Sequence, residues 1–269
     1  MGELPTTVLG RTGLRVTRLG IGGAYCKTAD GYRAALDCGV TYLDTARDYS
    51  NGDDERVIGE ALAGRRDGII LATKTQKRDA VKAREELETS LRLLRTDHID
   101  IWQLHYLNTP EAREQVLGPG GAYEVALKAR EQGLIRFIGC TGHKWDQVAL
   151  SVQTGLFDTV LCWYNCAMPE PETQLFPHTL AQNMGVALMR TTSVDKLYSP
   201  DNDPREEDFY RYVWGNPAVN VALMGLRDVE RFRRVSTALR DYTPMSEEER
   251  RRMEVYGKAL RDEGKIELP

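Results

Sequence analysis

The strongest constraint on the fold is a rhythm. After an opening TTVLGRTGLRVTRLG, short apolar runs alternate with longer amphipathic stretches along nearly the whole chain. Strands are expected at 18–21, 41–44, 68–73, 99–104, 135–139, 159–161, 186–189 and 219–224. Helices are expected at 29–38, 53–63, 79–94, 122–132, 145–154, 171–183, 206–214 and 229–239. A last helix at 246–263 opens with SEEE, a capping-box pattern. Eight strands, each followed by a helix, is the count of a (β/α)8 barrel. A large doubly wound sheet has similar strands. Regular spacing without a topological break favours the barrel. The opening segment reads as a β-hairpin turning at Thr12-Gly13. No linker, repeat or low-complexity segment divides the 269 residues, so one barrel domain over 1–269 is expected.

Composition narrows the partners. A net charge of −4 gives no reason to expect nucleic acid. No apolar stretch reaches the ~18 residues of a membrane span, and MGELPTTVLGRTGLRV lacks the apolar centre of a signal peptide. The five cysteines are an odd number without a secreted-scaffold spacing. Free thiols in a cytoplasmic protein are therefore expected. Cys162 and Cys166 have no nearby His/Cys pair, so no metal site is expected.

In a barrel of this kind the active site lies at the C-terminal ends of the strands. The polar residues closing the strands are therefore the candidates. The second barrel strand closes on Asp44, with Tyr49 in the loop beyond it. The third closes on Lys74 and the fourth on His105. Each alone has an ordinary structural role: a turn cap, a solvated lysine, a satisfied core histidine, a packed ring. Three adjacent strands ending in ionisable groups at one rim are harder to obtain by chance. Burial would require Asp44 and Lys74 to pair.

These residues carry a resemblance. LDTARDY (Asp44, Tyr49), LATK (Lys74) and DIWQLH (His105), in this order after a hairpin, resemble the aldo-keto reductases. That family is a (β/α)8 barrel whose N-terminal hairpin seals the barrel bottom, with an Asp–Tyr–Lys–His tetrad. The stretch GDDERVIGEAL resembles the family's helix after the tyrosine, and the likeness runs from the hairpin to Gly225.

The resemblance implies NADP(H)-dependent interconversion of a small-molecule carbonyl and its alcohol. Tyr49 would donate the proton, since a tyrosine of ordinary pKa, about 10, holds it at neutral pH. Lys74 would favour the phenolate, Asp44 would hold Lys74, and His105 would orient the substrate oxygen. For the cofactor, the family's Ser-Asn after the fifth strand and Gln in the sixth are replaced by Thr141-Gly142-His143 and Leu161, with Asn165 as a substitute amide. In ALMRTTS, Met189 would lie against the nicotinamide ring and Arg190 toward phosphate. In MGLRDVERFRR, Gly225, Arg227 and Arg231 open the last barrel helix, where anions bind. Arg227 and Arg231, four apart on one face, suit the 2′-phosphate of NADP.

Expected pocket walls are Tyr25, Tyr106, His143, Trp145 and Trp163. The ending VYGKALRDEGKIELP is polar and short for the family, which leaves a pocket that is open or completed by another subunit. Two alternatives stay open: a redox-neutral lyase or isomerase acting on a sugar-like substrate, and a nucleotide-binding regulatory subunit. Substrate identity and oligomeric state are not legible.

Overall fold

The computed structural model describes residues 2–199 and 203–268. The hairpin forms from β1 (Thr6–Val8) and β2 (Arg15–Thr17), paired antiparallel. Its tip is a tight turn, Gly10–Thr12, closed by Gly13 at φ 69°. Such a left-handed φ suits glycine. Leu9, Leu14 and Val16 point into a buried cluster with Tyr42, Ile70, Ile101, Leu161 and Val221. The hairpin therefore plugs the barrel floor.

The barrel strands are β3 (Leu19–Gly22), β4 (Tyr42–Asp44), β5 (Ile70–Thr75), β6 (Ile99–Leu104), β7 (Ile135–Thr141), β8 (Thr159–Trp163), β9 (Gly185–Met189) and β10 (Val221–Gly225). All pairings are parallel, and β10 closes onto β3. The doubly wound alternative is thereby excluded. Strands β7 and β8 each run two residues further than the periodicity suggested, which carries Thr141 and Trp163 to the rim.

The helices pack their apolar stripes on the outside of the barrel. Asp53–Ala61 buries Val57, Ile58 and Ala61, and Ala80–Leu94 buries Ala83, Leu87 and Leu94. Two expectations are corrected. The stretch 171–183 breaks into Pro171–Gln174 and Phe176–Ala181. Pro177 has no N–H for a continuous helix, and its ring opposes the carbonyl four residues earlier. A helix that the periodicity did not suggest forms at Pro110–Leu117, where Thr109 caps the N–H of Ala112 at 3.1 Å. All five cysteines are free, and no helix among the described residues is long and apolar enough to cross a membrane.

Strand parity positions the site. Successive side chains alternate faces, so each inward row is read by twos. In β4 the row is Tyr42, Asp44; in β5 it is Ile70, Ala72, Lys74; in β6 it is Ile101, Gln103, then His105 just past the strand. Each row is apolar toward the floor and polar at the rim. Asp44 lies level with Ala72, and Lys74 level with Gln103. The stagger of the barrel thus lifts Lys74 one step above Asp44.

Candidate active site

Lys74 is completely buried. Its Nζ donates to Asp44 Oδ1 at 2.5 Å and to the carbonyl of Thr45 at 2.6 Å. Gln103 Nε2 donates to the other oxygen, Oδ2, at 2.7 Å. Both carboxylate oxygens are therefore engaged, as a buried ion pair requires. Burial works against the Lys74 charge, yet Asp44 and then Tyr49 outweigh it and raise the Lys74 pKa.

Tyr49 stands in the loop after β4, and that loop is held from below. Thr45 and Tyr32 donate to the two oxygens of Asp54, at 2.6 and 2.7 Å. Thr73 donates to Glu55 at 2.7 Å, and Arg47 pairs with the same carboxylate. Asp54 and Glu55, next to each other in the first turn of Asp53–Ala61, are both buried. At Gly52 φ is +88°, and a Cβ there would strike the Arg47 guanidinium. Only glycine fits both constraints. The loop so fixed sets the Tyr49 ring with its centroid 4.9 Å from Lys74 Nζ. Burial pushes the Tyr49 pKa up to about 12, while Lys74 pulls the other way.

His105 is buried beside this pair, its ring centroid 6.4 Å from that of Tyr49. Burial, reinforced by Lys74, lowers its pKa to about 2, so the imidazole is neutral. Its Nδ1 has no hydrogen-bond partner and lies 3.7 Å from Asp48 Oδ1. Arg78 holds the turn beyond by donating to the carbonyls of His105 and Tyr106, at 2.5 and 3.0 Å.

From His105 a row of rings lines one side of the cleft. His105 stacks on Tyr106 at 3.7 Å, Tyr106 meets His143 edge-on at 5.0 Å, and His143 lies 4.6 Å from Trp163. The row ends where the Arg190 guanidinium covers Trp163 at 4.4 Å. Tyr106, with φ 56°, takes a left-handed backbone that a bulky residue adopts only under constraint. Trp145 is buried behind the row and donates to the Trp163 carbonyl at 2.8 Å.

The opposite side of the cleft, above β10 and β3, is charged. Arg227 covers the Tyr25 ring at 4.1 Å and lies 3.7 Å from Asp195. A Cβ on Gly225 would come within 2.8 Å of that ring, so glycine leaves room for Tyr25. Arg231 forms a bidentate pair with Asp195 at 2.7 and 2.9 Å and also reaches buried Glu206 at 2.6 Å. These partners raise the Arg231 pKa, Asp195 first. The helix Val229–Ala238 is capped by Asp228, which accepts the Arg231 N–H at 2.9 Å. Ser193, Val194 and Asp195 all have left-handed φ, between 50° and 69°. That turn brings Asp195 over the arginines.

The structure therefore gathers Asp44, Tyr49, Lys74 and His105, and places Tyr25, Tyr106, His143, Trp163, Met189, Gly225, Arg227 and Arg231 on the cleft wall. Two expected cofactor residues are placed differently. Asn165 is buried and spent on the backbone: its Nδ2 donates to the Arg190 carbonyl at 2.7 Å and its Oδ1 accepts from Ala167 at 2.9 Å. Gly142 is pressed against Val148 and Asn108 and does not line the cleft. Arg190 does line the cleft, its guanidinium over Trp163 and Glu267 at 3.4 Å as a carboxylate neighbour. Thr141 is buried with an unpartnered Oγ1. Gln103, Asp195 and Glu206 were not foreseen. Gln103 could have been found, because it shares inward parity with Ile101 and His105.

A closed parallel barrel with these groups at one rim narrows the class, and comparison with known proteins names it. The model of the aldo/keto reductase family matches residues 24–208. The chain belongs to the aldo/keto reductase family. It is 33% identical over 195 residues to the aldo-keto reductase YhdN of Bacillus subtilis, covering 64% of this chain and 57% of that protein. It is 42% identical over 76 residues to the methylglyoxal reductase YeaE of Escherichia coli, covering 28% and 27%. The chain thus matches less than two thirds of the length of these relatives. Among solved structures, the holo form of aldo-keto reductase AKR11C1 from Bacillus halodurans superposes with a TM-score of 0.81 at 24% identity, covering 96% and 97% of the two chains. An aldo/keto reductase from Klebsiella pneumoniae in complex with NADP and acetate superposes with a TM-score of 0.76 at 21% identity, covering 95% and 96%.

Proposed function

We propose that the chain reduces an aldehyde or ketone to an alcohol with NADPH, and runs the reverse reaction on the alcohol. The observation that carries this reading is the Tyr49 phenol held beside a buried, fully engaged Lys74–Asp44 pair at the cleft. Names among the relatives support it: a methylglyoxal reductase at the sequence level, and a family member solved with NADP.

The residues fit a nicotinamide dinucleotide in part. Arg227 and Arg231 would meet its phosphate end, and Met189 its ring. Thr191, on the cleft lining just past β9, has a buried hydroxyl without a partner that offers a polar contact between these points. When bound, the cofactor supplies the hydride. The chain's own groups manage the proton and the charge. Tyr49 Oη holds the proton that the substrate oxygen takes. Lys74 offsets the charge left on the phenolate. Asp44 and Gln103 fix Lys74. His105, neutral, can donate a hydrogen bond to the substrate oxygen and set its position. A positioned acid of this kind contributes ~10²–10⁴-fold.

The test is loss of the reduced-nicotinamide absorbance with a panel of aldehydes and ketones. Consumption of NADPH that depends on the carbonyl substrate supports the reading. One observation favours the redox-neutral alternative: Leu161 is apolar and Asn165 is spent, so no side-chain amide is free to hold the carboxamide at the places the family uses. Tyr49-dependent conversion of a sugar substrate with no NADPH consumed would put that alternative first.

A further inference from the structure

The rim residues β6 to β9 carry one continuous surface. Tyr49, Tyr106, His143 and Trp163 line it, with buried His105 stacked behind Tyr106, and the surface ends on a cation, Arg190. We propose that this surface is a substrate subsite for a carbonyl compound bearing a carboxylate, with the carbonyl at Tyr49, a flat apolar body along the rings and the carboxylate on Arg190. The proposal rests on the carbonyl reduction argued above and adds the class of substrate.

Three observations carry it. First, Arg190 uses less of its charge than Arg231 does, and unlike Arg227, which lies 3.7 Å from Asp195 on the opposite side of the cleft, it stands at the end of the ring row. Arg231 is held by Asp195 and buried Glu206 at 2.6 to 2.9 Å. Among the described residues the one carboxylate paired with Arg190 is Glu267, a loose 3.4 Å contact whose side chain is 56% exposed. A guanidinium that keeps its fork free is suited to a planar carboxylate. Second, the side chain is held in place without losing that capacity. Trp163 supports its face, and Asn165 anchors its backbone carbonyl at 2.7 Å. At φ 64° the backbone of Arg190 is left-handed, which turns the residue off the line of β9. Third, the carboxylate that does reach Arg190 comes from the chain's own ending segment, which is anchored nearby by buried Ile266. Glu267 thus shows that the position accepts a carboxylate, and a substrate would have only an exposed surface pair to displace. In the reaction the carbonyl carbon gains the hydride and its oxygen gains the Tyr49 proton, while the carboxylate is unchanged.

The matched probes are 4-formylbenzoate and its methyl ester, which share the aldehyde and the ring and differ in the charge. The native protein should favour the free acid in kcat/KM by about ten-fold, the scale of one charge-assisted hydrogen-bonded contact. Arg190→Met keeps an apolar side chain over Trp163 and removes the charge; it should bring the ratio close to one. Glu267→Gln removes the internal competitor and should lower KM for the acid and not for the ester. Calorimetric titration with benzoate reads the same site without turnover, and Arg190→Met should abolish that binding. If neither aldehyde is reduced yet benzoate binds through Arg190, the carboxylate site stands and the reaction assigned above fails. A native ratio near one with no benzoate binding would overturn the proposal. So would an Arg190→Met variant that loses NADPH affinity while keeping the acid-to-ester ratio, since Arg190 would then belong to the cofactor.

Discussion

Lys74 and Arg231 are both cations paired with carboxylates at the mouth of one barrel, yet they are built for different ends. Lys74 is wholly buried, it rises from a strand, and every oxygen of its partner Asp44 is engaged by a neighbour on β5 or β6. Arg231 keeps 19% of its side chain exposed, it sits in the first turn of a helix, and Asp195 reaches it from a left-handed turn. The first arrangement has nowhere to relax: desolvation makes a lone charge there costly. The second sits at the cleft surface, where a ligand phosphate and Asp195 would compete for the same guanidinium. A rigid cluster suits proton handling, and a replaceable one suits recognition.

Breaking the rigid cluster should have the larger effect. Lys74→Met leaves Asp44 buried without its cation and should cost about 3–5 kcal/mol of stability. Adding Asp44→Leu should recover much of that loss, because an apolar pair needs no desolvation. Chemical denaturation of the native, single and double variants measures both. Equal stability of the native protein and Lys74→Met would show that the pair is not the buried, coupled unit described.

The replaceable cluster should respond in affinity. Asp195→Asn removes the anion that shares Arg227 and Arg231, so NADPH should tighten relative to NADH by about ten-fold, the scale of one charge-assisted contact. Arg227→Ala should move the ratio the other way. Titrations with both cofactors decide it. An unchanged ratio in both variants would return these arginines to the role of a solvated helix face.

A further effect concerns pH. His105 stays neutral in the fold, its pKa lowered to about 2 by burial and then by Lys74. An unfolded histidine titrates near about pH 6.5. A depressed folded value means the stabilisation is present above about pH 6.5 and declines below it, since the unfolded chain then binds a proton the fold refuses. The slope from this group approaches about 1.4 kcal/mol per pH unit between about pH 6.5 and 5, before most carboxylates titrate. Denaturation midpoints across that window should be flatter in His105→Gln. An equal slope in both proteins would place a charged His105 in the fold.

The two clusters also differ in how far the sequence foretold them. Asp44, Lys74 and His105 were legible because strand parity and strand order carry them: each closes an inward row, and the stretch expected at 99–104 is the strand Ile99–Leu104. Gln103 follows the same parity and was overlooked because a polar residue inside an apolar run attracts no attention on its own. Asp195 and Glu206 could not be read in this way. Their meeting with Arg231 depends on three successive left-handed residues, including the β-branched Val194 at φ 55°, and no periodicity announces such a turn. Asn165 was misjudged for a related reason. Its amide looked free for a cofactor, but the bend after β8 leaves backbone groups of Ala167 and Arg190 that need it. The helix Pro110–Leu117 escaped because it buries one side chain, Val116, and has almost no apolar stripe to detect.

The central claim is that Tyr49 supplies the proton, and Tyr49→Phe tests it most directly. The change removes one hydroxyl and keeps the ring beside Lys74. In single-turnover experiments with NADPH already bound, chemistry is separated from binding. The rate of carbonyl reduction should fall by at least ~10²-fold with cofactor affinity nearly unchanged. A Tyr49→Phe variant that reduces the carbonyl at a near-native rate would contradict the account.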